Sequence, residues 1–204
     1  MSNFNTTKYN VRPALLVSLW LLSATGMAAT PIDQTRSLDP TGRIDIENLK
    51  GRIQVRAWDR AEVKISGTLG EGVERLIVEG DGQKLTVKAQ YPKNNGWNGA
   101  KTGPTDLLLT VPVRAELEID SVSANVDVSG VAPAKLSIDS ISGDIAVAGA
   151  APREIDVETV SGNVRMTVNR NDVEVQSVSG NLVLRGRMAG DVKTETGAGD
   201  IDVV

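Results

Sequence analysis

Ile141-Ser142-Gly143-Asp144-Ile145 returns as Val160-Ser161-Gly162-Asn163-Val164 and again as Val178-Ser179-Gly180-Asn181-Leu182. The same unit stands upstream as Val122-Ser123-Ala124-Asn125-Val126 and downstream as Gly197-Ala198-Gly199-Asp200-Ile201. Its second positions are 123, 142, 161, 179 and 198, so the steps are 19, 19, 18 and 19 residues. A period of this length marks a stacked-repeat architecture, in which each unit buries its apolar face against its neighbours.

Apolar residues two apart precede each of the first four units: Leu117/Ile119, Leu136/Ile138, Ile155/Val157 and Val173/Val175. Period two predicts strands with one buried face. Each unit then opens a second alternating run, Val122-x-Ala124-x-Val126-x-Val128 and its repeats. That run predicts Val122 and Ile141 on the buried face. Parity slips by one between Ile119 and Val122, so the chain bends there. The glycine of the unit, Ala124 in the first copy, predicts a crowded corner with unusual backbone angles. A β-sandwich also strings short strands at regular spacing. Only stacked coils require the same residue types at the same phase. The expected fold is all-β, a single-stranded parallel β-solenoid. Coils of 19 residues at about 3.3 Å per residue have a perimeter near 60 Å, a narrow coil filled by aliphatics.

Working outward, Ile44, Ile46, Leu49, Gly51, Ile53 and Val55 match Ile155 through Met166 at an offset of 111 residues, and Val63/Ile65 read as the edge of a further coil. Leu76-Ile77-Val78 and Leu85-Thr86-Val87 flank Asp81-Gly82, which predicts a hairpin. A polar loop from Gln90 to Asp106 and a strand from Leu107 to Val111 follow. The organisation read from this is a signal peptide over 1–28 and a solenoid domain over 29–204. First coils fill 29–70, hairpin, loop and strand 71–112, and five regular repeats 113–204.

Lys8 and Arg12, then the apolar run Ala14 to Leu22, then Gly26-Met27-Ala28, have the three-part form of a cleaved secretory signal. The run is shorter than the roughly 20 residues of a membrane span. The expected location is periplasmic or secreted to the cell surface, with no lipobox cysteine and no other transmembrane segment.

The chain has no cysteine and no histidine. Disulfides, thiolate nucleophiles, Ser-His-Asp triads and His- or Cys-ligated metals are excluded. No cofactor and no metal are expected. Residues 113–204 carry 8 basic against 15 acidic groups, which disfavours nucleic acid as a partner.

The first coil from Gly42 to Gly51, the Leu107-to-Pro112 strand and the Ser-Gly-Asn/Asp repeats resemble a bacterial putative-adhesin family of unknown function. The resemblance covers about residues 37–204. It implies a secreted, right-handed β-solenoid used for attachment or scaffolding, without catalytic residues.

The candidate ligand-binding residues are Tyr91, Asn94, Asn95, Trp97 and Asn98, in the loop where the repeat breaks. Trp, Tyr and Asn stack on and hydrogen-bond sugars. Asn125, Asp144, Asn163, Asn181 and Asp200 form a structural ladder along the axis. Asp120, Asp139 and Glu158, continued by Gln176 and Glu195, predict a solvated acidic face, and Ser121/Ser123 with their repeats predict outward hydroxyl pairs. The expected function is non-enzymatic, adhesin-like binding or scaffolding, with a cell-envelope glycan or surface protein as partner. The alternatives are a polysaccharide-acting β-helix enzyme and a self-assembling envelope protein. Val204 lies inside a second-run strand. Either the sequence is truncated there, or that coil self-associates end to end.

Overall fold

The computed structural model describes residues 30–92, 102–169, 172–187 and 190–204. The signal segment and Asn94, Asn95, Trp97 and Asn98 lie outside them. The described residues contain strands and no helix.

The strands are β1 (Thr30–Ser37), β2 (Arg43–Trp58), β3 (Glu62–Leu69), β4 (Arg75–Gly80), β5 (Lys84–Gln90), β6 (Thr105–Pro112) and β7 (Glu116–Ser129). The repeats supply β8 (Lys135–Ser142), β9 (Ile145–Ala150), β10 (Glu154–Ser161), β11 (Val164–Val168), β12 (Asp172–Ser179), β13 (Leu182–Arg185), β14 (Val192–Ala198) and β15 (Ile201–Val203).

These strands form two ladders joined by β2 and β7, which run unbroken from one ladder into the other and pair in parallel along most of their length. One ladder runs β4-β5-β2-β7-β8-β10-β12-β14 and the other β1-β3-β6-β2-β7-β9-β11-β13-β15. From β7 onward every pairing is parallel, and residues one repeat apart sit side by side: Leu117 on Leu136, Ile138 on Val157, Val157 on Val175. The architecture is β-solenoid-like, as the period required. Both ladders line one aliphatic core, with Ile44, Ile138 and Ile155 from the first and Ile53, Ile65 and Ile145 from the second fully buried.

Two readings need correction. Val63 and Ile65 are buried but open no parallel coil. They lie in β3, antiparallel to β1 and β6. A shared alternation of period two cannot distinguish the two directions. The second correction concerns the bend. Ser121 is buried and Val122 is exposed, so parity slips after Ser121 rather than before it. The Ser121 hydroxyl donates to the Ala124 carbonyl at 3.3 Å, and Ser140 and Thr159 donate one position earlier in the corner, to the Ser142 and Ser161 carbonyls. A small hydroxyl that bonds the corner backbone fits the inside of the bend, and the bulkier Val, Ile or Leu is turned out.

The 18-residue step has a structural cause. β9 and β11 pair residue for residue from Ile145/Val164 to Ala148/Thr167, and Val168 then pairs with Ala150. Gly149 is skipped as a β-bulge with φ +59, so its coil is one residue longer than the next. The Asp81-Gly82 hairpin forms as expected, with Asp81 Oδ1 accepting from the Gln83 and Lys84 backbone N–H groups.

Candidate functional site

The outward turn of Val122 and its repeats creates a groove running along the axis, across the coils, with a volume of about 870 Å³. One bank is acidic, with Glu47, Asp120, Asp139, Glu158 and Glu195, interrupted by the neutral Gln176. The other is apolar: Leu49, Val122, Ile141, Val160 and Val178. Between them the buried hydroxyls of Ser121, Ser140, Thr159 and Ser177 form the floor, and Lys88, Ala89 and Tyr91 close one end.

The apolar bank is unusual for a protein surface. Ile141 is 53% exposed and Val178 62%, stacked on like neighbours in register. Isolated surface aliphatics are ordinary, whereas a contiguous row marks a contact surface. Ser142 Oγ donates to the Val122 carbonyl at 3.1 Å and Ser161 Oγ to the Ile141 carbonyl at 3.3 Å, so each coil clamps the apolar row of the coil before it. The Asn/Asp row works beside it. Asn125 Oδ1 accepts from Asp144 N at 3.0 Å, Asp144 Oδ1 from Asn163 N at 3.0 Å, and Asn181 Oδ1 from Asp200 N at 3.1 Å. These bonds hold the corner backbone in register.

Glu47 pairs with Lys88. Asp120, Asp139, Glu158 and Glu195 have no ion-pair partner among the described residues. Burial pushes the Asp139 carboxyl above its ordinary value, and the charges of Asp120, Glu158 and Asp156 push it further. Burial also raises Asp120, with Glu47 and Asp45 adding and Lys88 opposing. A raised folded-state pKa means that ionisation costs the folded state more than the unfolded chain. The stabilisation of the protonated form is full at low pH and is lost as pH rises through the raised value. Asp139→Asn mimics the protonated form, so it should raise the melting temperature by about 1–3 °C near pH 7 and change nothing below about pH 3. A thermal melt series across that range checks this, and an equal gain at both ends counts against it.

Of the loop residues expected to bind, Tyr91 alone is described. It sits at the closed end of the groove. Its hydroxyl lies 3.0 Å from Asn48 Oδ1 and 3.2 Å from the Lys50 carbonyl, and Asn48 Nδ2 donates to the Thr105 carbonyl at 2.9 Å. The tyrosine thereby ties the end of β5 to β2. The hydroxyl pairs divide, Ser121 being buried and Ser123 exposed. Among the described residues no group of three or more Asp or Glu side chains is placed to hold a metal ion. Sequence reading missed the groove because it turned the apolar bank inward. The available signal was a β-branched residue or leucine recurring directly after the inward hydroxyl position.

An all-β, solenoid-like stack of parallel coils with a groove along its corners is the class that fold and geometry define. The chain belongs to the Toastrack DUF4097 family, whose model matches residues 41–204. A putative cell adhesion protein from Clostridium sporogenes is similar in structure at 10% identity and TM-score 0.43, with 85% of this chain and 99% of that one covered. A putative adhesin from Bacteroides fragilis matches at 13% identity and TM-score 0.43, covering 87% and 98%. A putative lipid binding protein from Parabacteroides distasonis matches at 11% identity and TM-score 0.31, covering 84% and 96%. No curated protein matches the chain.

Proposed function

We propose that the protein is a non-enzymatic, extracytoplasmic binding module, adhesin-like in role, and that the corner groove is its contact surface. The observation that carries this is the stacked, exposed row from Leu49 to Val178 beside an acidic row in which Asp120, Asp139, Glu158 and Glu195 have no ion-pair partner among the described residues. Such a surface costs solubility and is retained where something covers it. The signal-like segment over residues 1–28 supports cleavage and export to the periplasm or cell surface. As an envelope partner, a surface protein suits the groove better than a glycan. Sugar sites are built on aromatic platforms, and among the described residues Tyr91 is the sole aromatic lining this groove, at its end.

The test is attachment of bacterial cells or isolated envelope to a surface coated with the mature protein. Ile141→Ser combined with Val160→Ser should lower attachment about tenfold, as expected when two central contact residues lose their apolar side chains, while the melting temperature holds. Full attachment by the double variant moves the contact surface elsewhere. Release of reducing ends from acidic polysaccharides by the purified protein would establish the enzymatic alternative.

A further inference from the structure

We infer that the occupant of the groove is a cationic amphipathic α-helix of a partner protein, lying along the axis of the coils. The inference rests on the groove being the contact surface and adds the chemistry and shape of what it receives. Two observations carry it.

The first is charge complementarity. Asp120, Asp139 and Glu158 line one bank without an ion-pair partner among the described residues, Lys88 at the closed end being paired to Glu47. Anionic glycans and anionic lipid headgroups are repelled there, and a row of Lys or Arg is attracted. The second is the apolar bank. Val122, Ile141, Val160 and Val178 run parallel to the acids, so the ligand must carry an aliphatic stripe beside its cationic one. A polyamine or a bare cation satisfies only the first bank.

Pitch selects the helix. Successive coils lie about 4.8 Å apart, and a helix turn advances about 5.4 Å. Over the groove the two drift by less than one coil. A strand crossing the same coils repeats its face about every 6.8 Å and loses register at once. The groove spans roughly 24 Å at the coil spacing, which an amphipathic helix of about 16 residues fills.

The probe is a labelled synthetic 18-residue peptide with one leucine stripe and one adjacent lysine stripe, titrated into the mature protein. Binding and a gain of helical circular dichroism are expected. Asp139→Asn with Glu158→Gln, and separately Ile141→Ser with Val160→Ser, should each weaken binding at least about tenfold. Equal binding of a peptide of the same composition with scrambled stripes overturns the helix. So does full competition by spermine at matched charge, or tighter binding to phosphatidylglycerol vesicles than to the striped peptide. If the peptide fails while cell attachment still depends on Ile141 and Val160, the helix is wrong and the groove stands. If neither depends on those residues, both fall.

Discussion

Gly162→Val should abolish or nearly abolish the folded state. A Cβ built at Gly162 lies 2.2 Å from the carbonyl oxygen of Gly143, with the Gly143 carbonyl carbon at 2.9 Å. Those are backbone atoms of the adjoining coil, held by the ladder, and they cannot swing aside as the tip of a side chain would. The backbone at Gly162 has φ +131, a conformation that costs an L-residue about 1–3 kcal/mol before any clash. Valine adds branched methyl groups to the same contact. The combined loss should exceed about 4 kcal/mol, out of the roughly 5–15 kcal/mol that holds a domain together. The matched control is Gly149→Asn. Gly149 has φ +59, which asparagine tolerates, and nothing within 4 Å of a built Cβ, so a change of less than about 1 kcal/mol is expected. Chemical denaturation of both variants checks the pair. A Gly162→Val protein melting within about 2 °C of the parent would show that the corner can open.

Asn48→Leu comes second. Asn48 is 2% exposed and bridges three segments, donating to the Thr105 carbonyl and accepting from Tyr91 beside Lys50. Thr105 Oγ1 accepts in turn from Gly70 N at 3.0 Å. Leucine keeps the volume and removes both polar atoms, leaving buried groups without their partner at a cost of about 2–3 kcal/mol. Tyr91→Phe alone should cost about 1 kcal/mol, and the two changes together should cost less than their sum because they share one bond. Strict additivity in a double-mutant cycle would mean that Tyr91 reaches its position without Asn48. The Asn48 network also fixes the closed end of the groove, so Asn48→Leu should weaken ligand binding more than its distance from the central coils suggests.

Spacing made the parallel stack legible, because stacking one coil on the next is what brings identical residue types back at identical phase. The corner glycines were legible for the same reason. Gly143, Gly162, Gly180 and Gly199 each stand against the backbone of the preceding coil. Ala124 departs from the pattern where β7 passes the corner unbroken. The site was far less legible. Hydropathy ranks Val122 above Ser121 and so places the valine inside, but hydrogen bonding at the bend reverses the order. A pattern of apolar and polar residues has no means of weighing the carbonyl that a corner leaves exposed. β3 escaped for a related reason, since strand direction is settled by partners far away in sequence and not by the strand itself. The acidic row was identified residue by residue, while its meaning depended on the apolar bank that had been turned inward.

The bulge at Gly149 and the rigid corner at Gly162 lie on opposite sides of the same coils. Length variation is absorbed on the side away from the groove, as the 18-residue step shows, and the groove side keeps a fixed gauge. Coil number therefore sets the reach of the groove without altering its cross-section, at about 4.8 Å for every coil gained or lost. A stack with more or fewer coils of this kind would present a longer or shorter groove with the same two banks.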